Sequence, residues 1–273
     1  MRQFPPSPAL ADTVSHITVL EVDGLAGEVS IPLVAKAAPS IVYQCSGGGA
    51  GSGGGEASLV LYGQNIQPFV FQASGHLLMI AFFLRPHRLA ALFDFRASEV
   101  TDLCLDLAFL PEVRGSGLLE RLAAAARLGE RPGTVAALDE RLRLMQGFIT
   151  NLCAASSGGV NDTAGYAIGV IRAANGLISL RKLQTELRVT ERSFQRLFDL
   201  HVGVSPKQFS RICQFQPAFQ QLSMGRFDRL SDIAYDNGYA DQSHLIRVFR
   251  EFTGFTPGEY LTRTAAFLAA VRG

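Results

Sequence analysis

The chain reads as an α+β protein, with a β-rich amino-terminal half carrying a helical hairpin and an all-α carboxy-terminal half of seven helices. Three observations predict this. The first hundred residues alternate short β-rich runs with turns. From residue 164 onward the pattern is helical and regularly punctuated by N-caps, prolines and glycines. Within that helical half, one short segment is written twice. A length of 273 residues suffices for two domains, placed at 1–155 and 156–273.

In the first half, "VSHITVLEV", "IVYQC" and "EASLVLY" read as strands, and "PFVFQASGHLLMIAFFL" holds two strand-like runs around Ser74-Gly75. Between Cys45 and Ser58 the chain is almost all Gly, Ser and Ala, which predicts a flexible loop; a strand follows it, so a phosphate-binding loop is excluded. "RPHRLAALFDF" is a short amphipathic helix with Pro86 in its first turn. Two longer helical stretches, broken at Gly129–Gly133, form a hairpin that serves either as a subunit interface or as packing for its own domain. The small, polar residues 154–162 read as the interdomain linker.

The helical half divides into segments 163–174, 179–187, 191–201, 206–223, 230–237, 242–252 and 257–270. Thr190 and Asp241 are N-caps; Ser205-Pro206 and Thr256-Pro257 supply an N-cap plus proline at the first helical position. Gly203, Gly238 and Gly254 mark helix ends.

Composition narrows the function. Hydrophobic residues make up 48% and charged residues 18%, an ordinary globular balance. No apolar run approaches the ~20 residues of a membrane span, and the start lacks an apolar signal core, so the expected location is the cytoplasm. Cys45, Cys104, Cys153 and Cys213 lie 59, 49 and 60 residues apart, which predicts buried free thiols and no metal site. Residues 1–159 carry 11 Lys/Arg against 14 Asp/Glu, whereas residues 160–273 carry 14 against 10. The second half is mildly basic, which permits a polyanion partner.

The repeat carries the functional reading. "TERSFQRLFDLHVGVSP" (190–206) and "DQSHLIRVFREFTGFTP" (241–257) align without gaps at an offset of 51, pairing Arg196 with Arg247, Phe198 with Phe249, Gly203 with Gly254 and Pro206 with Pro257. A shorter helix precedes each copy across a tight turn, which is the layout of a helix-turn-helix. Phe194, Leu197, Phe198 and His201 share one face of the first copy; Leu245, Val248, Phe249 and Phe252 share one face of the second. The other sides present Arg192, Gln195 and Arg196, and Gln242, Ser243, His244 and Arg247. Arg reads guanine bidentately, Gln reads adenine, and Ser and His add adaptable bonds. Two such helices on a rigid spacer can enter major-groove faces about 34 Å apart.

Residues ~164–270, about 40% of the chain, resemble the two-motif DNA-binding domain of the AraC/XylS family of transcription regulators. The carriers are "SFQRLFDLHVGVSPKQFSR" and "LSDIAYDNGYADQSHLIRVFREFTGFTPGEY". The resemblance implies that the seven polar residues just named face bases, and that Lys207 and Arg211 contact phosphates. It further implies double-stranded DNA as partner, with a small-molecule effector, RNA polymerase and a second copy of the chain as further partners. Two positions depart from the pattern. Ile246 stands where relatives carry a small polar residue, and can touch a thymine methyl. Pro217 lies inside the spacer, where it removes a hydrogen bond to the Cys213 carbonyl at roughly 3 kcal/mol, predicting a bend near 213–217.

More weakly, the first ~155 residues resemble the cupin-like barrel of some such regulators, carried by "SPALADTVSHITVLE" and "RPHRLAALFDFRASEVTDLCLDLAFL". A barrel mouth is a natural ligand site, and Tyr43, Phe69, Phe71, His76 and Phe82 are the candidates to line it. His16, His76 and His87 form no His-x-His pair, so no metal, cofactor or catalytic set is expected. The rival expectation is a cupin-type enzyme or ligand carrier whose helical half serves as an interaction module.

Overall fold

A computed structural model describes residues 1–46, 56–125, 135–156 and 161–272. The glycine-rich run at 47–55, the helical break at Gly129–Gly133 and residues 157–160 of the expected linker lie outside the described residues.

The amino-terminal half is built on β1 (Arg2–Phe4), β2 (Val14–Leu33), β3 (Ser40–Ser46), β4 (Glu56–Tyr62), β5 (Phe69–Leu84) and β6 (Cys104–Asp106). They form one antiparallel sheet in the order β1-β2-β5-β3-β4-β6. The two runs read around Ser74-Gly75 are one strand, β5. Gly75 there takes a left-handed φ of 66°, and the β2–β5 register shifts between Val22 and Leu25 and again between Leu25 and Val29, so a bulge bends the pair instead of ending it.

Strand alternation gives the sheet two apolar faces. Ile17, Val19, Ile41, Tyr43, Leu59, Leu61, Ile80 and Phe82 point to one side. Onto that side pack α1 (Leu89–Phe93), α2 (Pro111–Ser116), α3 (Leu118–Ala124) and α4 (Val135–Ala155), through residues such as Leu122, Leu142, Met145 and Ile149. Of the two roles open to the hairpin, α3 and α4 fill that of covering their own sheet. Val42, Val60, Tyr62, Met79, Ala81 and Phe83 point to the opposite side.

The carboxy-terminal half contains, among the described residues, α5 (Asp162–Ala173), α6 (Leu180–Glu186), α7 (Glu191–His201), α8 (Pro206–Ser223), α9 (Leu230–Asp236), α10 (Gln242–Thr253) and α11 (Pro257–Arg272). The capping chemistry is the expected one. Thr190, Ser205 and Asp241 accept hydrogen bonds from the backbone N–H of Ser193, Gln208 and His244. Thr256 and Glu259 complete a reciprocal capping box, Thr256 N–H to Glu259 at 2.8 Å and Glu259 N–H to Thr256 at 3.3 Å. The spacer α8 runs unbroken through Pro217, with Phe215, Ala218 and Leu222 buried on either side of it. Packing therefore outweighs the lost hydrogen bond sufficiently to keep the helix continuous.

All four cysteines are free, but only Cys213 is buried; Cys104 is exposed, because it sits on the edge strand β6. No described helix is long and apolar enough to cross a membrane.

Candidate nucleic-acid interface and sensor cavity

The two helix pairs are organised by one spacer. Phe209, near the start of α8, meets Phe198 of α7 at 5.8 Å between ring centroids. Phe215 and Phe219, further along, meet Phe249 at 5.5 and 6.0 Å, and Phe219 meets Tyr260 at 5.3 Å. Phe194, Phe198, Leu245, Phe249 and Phe252 are all essentially inaccessible, so the apolar stripes of both repeats are spent on this shared core. Burial of each ring is worth roughly 1.5–3 kcal/mol.

The opposite faces are polar and open to solvent. Arg192, Gln195 and Arg196 of α7 are exposed, as are Gln242, Ser243 and Arg247 of α10 and Lys207 at the start of α8. His244 is half-buried, its ring edge-on to Tyr239 at 5.3 Å. Ile246, also half-buried, lies beside this set. Arg211 behaves differently from a free phosphate contact. Its guanidinium makes a bidentate pair with Glu251 at 2.7 and 2.5 Å and lies over Phe252 at 5.5 Å. It clamps the spacer to the second recognition helix, a pairing across 40 residues that the sequence does not announce.

The amino-terminal half touches the C-terminal turn of both recognition helices. Thr101 Oγ1 donates to the Gly203 carbonyl at 2.8 Å, and Arg96 lies 3.9 Å from Asp199 of α7. A Cβ on Gly254 would rest 3.5 Å from Pro68. Asp102 ties these two contact loops together, its carboxylate accepting from the backbone N–H of Ile66 at 2.6 Å and Gln67 at 2.8 Å.

A cavity of about 140 Å³ opens on the sheet face turned away from α1–α4. Its walls are largely apolar, from Leu20, Val34, Val42, Met79, Ala81 and Phe83, with Thr18, Ser40, Tyr62 and Asn65 as polar members. Lys36 is the cationic group on this wall, its Nζ 4.0 Å above the Phe83 ring. Lys36 is exposed, and desolvation by the protein packed around its ammonium lowers its pKa to about 8. His16, stacked on Phe83 at 4.5 Å between rings, is lowered to about 4 by burial, then by Lys36 and by Arg172 of α5. Arg172 is itself lowered by burial. Among the described residues no carboxylate pairs with Lys36 or Arg172. Lys36 on the cavity wall thus has no paired carboxylate among the described residues, a setting that favours an anion.

The five residues expected to line a ligand site are not brought together here. Tyr43 and Phe82 are buried on the α1–α4 side of the sheet, Tyr43 under the Arg141 guanidinium at 5.8 Å. Phe71 packs against the cavity-side cluster without lining the cavity, Phe69 is exposed against Tyr62, and His76 follows the Gly75 bulge. Lys36 was missed. It was legible only as a lone Lys in the apolar run "PLVAKAAPSIVY". Among the described residues no three His, Cys, Asp or Glu side chains gather as metal ligands would.

Comparison with known proteins places this geometry. Residues 183–263 match a helix-turn-helix domain family, and residues 2–106 match a domain of unknown function, DUF6597. No curated protein sequence matches the chain. Among solved structures, ToxT from Vibrio cholerae aligns over 90% of this chain and 97% of its own, at 14% identity and a TM-score of 0.51. ToxT bound to (E)-4-(8-methylnaphthalen-1-yl)but-3-enoic acid aligns over 90% and 98%, at 13% identity and 0.51. Unsaturated fatty acid bound ToxT aligns over 90% and 94%, at 14% and 0.50. At such identities the likeness is one of fold, and it spans both halves. The chain thus joins a helix-turn-helix domain to a β-rich amino-terminal half and shares the two-part fold of ToxT.

Proposed function

We propose that the chain is a sequence-specific DNA-binding transcription regulator, active in the cytoplasm and not an enzyme, whose DNA binding is set by an apolar carboxylic acid in the β-half cavity. The observation that carries the DNA reading is the pair of recognition helices on one spacer, each with a buried stripe and an exposed polar face. In this reading Arg192, Gln195, Arg196, Gln242, Ser243, His244 and Arg247 meet base edges, Lys207 meets phosphate, and Arg211 supports the second helix. RNA polymerase and a second copy of the chain complete the partner set, and the two working units are residues 1–155 and 156–273.

The acid is supported by an apolar cavity with Lys36 on its wall and Arg172 nearby, neither paired with a carboxylate among the described residues. ToxT, which shares the fold, is seen with an aryl butenoic acid and with an unsaturated fatty acid. A volume of about 140 Å³ is of the size that admits a single benzene ring, which favours a short or aromatic acid.

Two measurements test these readings. Fluorescence anisotropy with DNA from the chain's own upstream region should show preference over random DNA, with a log–log salt slope of about −0.9 per phosphate neutralised. Equal affinity for both DNAs at moderate salt would refute sequence-specific binding. Calorimetry should show octanoate or 4-phenylbutanoate binding in preference to the matching alcohols, and Lys36→Met should abolish that preference. Chemical turnover of either acid would instead establish the rival enzymatic reading.

A further inference from the structure

Residues 34–38 join β2 to β3, and their side chains are shared between two places. Val34, Lys36 and Ala38 line the cavity. Ala35 and Ala37, with Val34, belong to the apolar cluster of the helical half, beside Phe209, Phe215 and Phe249. Ala35 and Ala37 thus serve the helical half's core, Lys36 and Ala38 the cavity, and Val34 meets both. The backbone is divided in the same way. Gln216 of the spacer α8 donates its amide to the Ala35 carbonyl. Gln64, fully buried in the loop after β4, donates to the Lys36 carbonyl next along. One peptide length thus separates a hydrogen bond to the DNA half from one to the sensor half.

Gln216 occupies a telling place on the spacer. It lies between Phe215, which packs on the second recognition helix, and Pro217, where the helix lacks its usual hydrogen bond to the Cys213 carbonyl. A pull on Gln216 therefore acts where the spacer's own ladder is weakest.

We propose that the segment 34–38 is the transmission strap of the regulator: an acid engaging Lys36 displaces the strap, and the Ala35–Gln216 hydrogen bond carries that displacement into the helix that spaces the two motifs. The inference rests on the acid-effector reading above. Coupling needs a differential contact between two arrangements, and here Lys36 supplies it by moving between the Phe83 ring and the bound carboxylate.

Hydrogen exchange on the full chain, with and without saturating octanoate, separates this proposal from the reading beneath it. In the wild type, octanoate should change exchange by roughly fivefold or more, the lower range of ordinary coupling, in β5 peptides 77–84 and also in spacer peptides 206–223. In Gln216→Met, which keeps length but removes the donor, the β5 change should persist and the spacer change should fall to background. Gln220→Met, at an exposed position of the same helix, should behave as wild type. A β5 response without a spacer response in the wild type would overturn the strap. So would a spacer response that survives intact in Gln216→Met. No response in β5 would overturn the acid-effector reading itself, and the strap with it.

Discussion

Gly203 and Gly254 occupy equivalent positions in the repeat, and replacing each by alanine measures how tightly the sensor half grips the first motif. Both glycines are left-handed, with φ of 87° and 78°, so an alanine costs roughly 1–2 kcal/mol of backbone strain at either position. Their surroundings differ. A Cβ at 203 would fall 2.4 Å from Thr101 Oγ1 and 2.6 Å from the Ala97 carbonyl oxygen, whereas at 254 the nearest atom is Pro68 Cβ at 3.5 Å. The first is a clash with backbone and with the hydroxyl that holds Gly203; the second is ordinary contact. Overpacking of this kind adds roughly 1–3 kcal/mol. Gly203→Ala should therefore be more destabilising than Gly254→Ala by about 1–3 kcal/mol in urea unfolding of the full chain. Hydrogen exchange at residues 97–101 should quicken only in Gly203→Ala. If the two variants lose equal stability and leave 97–101 equally protected, the first motif is not docked as described.

Further outcomes follow from the same contacts. Arg196→Ala and Arg247→Ala should each cost about 1–3 kcal/mol of specific affinity and relax preference at one base position, read by selection from random DNA; unchanged preference would remove them from the reading set. Lys207→Ala should lower the salt slope by about 0.9, while Arg211→Ala should leave it unchanged and cost at most about 1 kcal/mol of stability, since its pair with Glu251 is partly exposed. Lys36 is lowered to about 8, so the unfolded chain binds the extra proton between pH 8 and the ordinary lysine value, and stability should rise with pH across that window. Octanoate binding should run the other way, strongest below pH 8 and lost above it as the ammonium deprotonates, and Lys36→Met should remove both dependences. Pro217→Ala should stabilise by roughly 1–2 kcal/mol, a regained helix hydrogen bond less the chain entropy that proline had removed; a loss would show that the pyrrolidine ring packs.

The helical half was legible because its signals are local. Thr190, Ser205, Asp241 and Thr256 cap helices by bonding groups three residues away, and repeat spacing carried the rest. The β half was less so, for a physical reason: both faces of its sheet are apolar, so alternation does not say which side is hollow. Tyr43 and Phe82 drew attention by size, yet their smaller neighbours Val42 and Ala81 line the cavity, because small residues are what leave space. Long-range partners were equally silent. Nothing near Arg211 points to Glu251, and nothing in "LVAKAA" shows that Ala35 and Ala37 belong to the helical half's core. Pro217 was read for what it removes locally; the aromatic packing of Phe215 and Phe219 that carries the helix through is tertiary.

The shared ownership of residues 34–37 bears on how the two halves could be recombined. A fusion made at residue 156 would separate the helical half from Val34, Ala35 and Ala37, which are part of its apolar cluster. A foreign sensor grafted at that seam would have to bring its own plug for the same hollow, and its own acceptor for Gln216. The two halves are read apart in the sequence but share one stretch of packing, so exchanging the amino-terminal half means rebuilding that packing too.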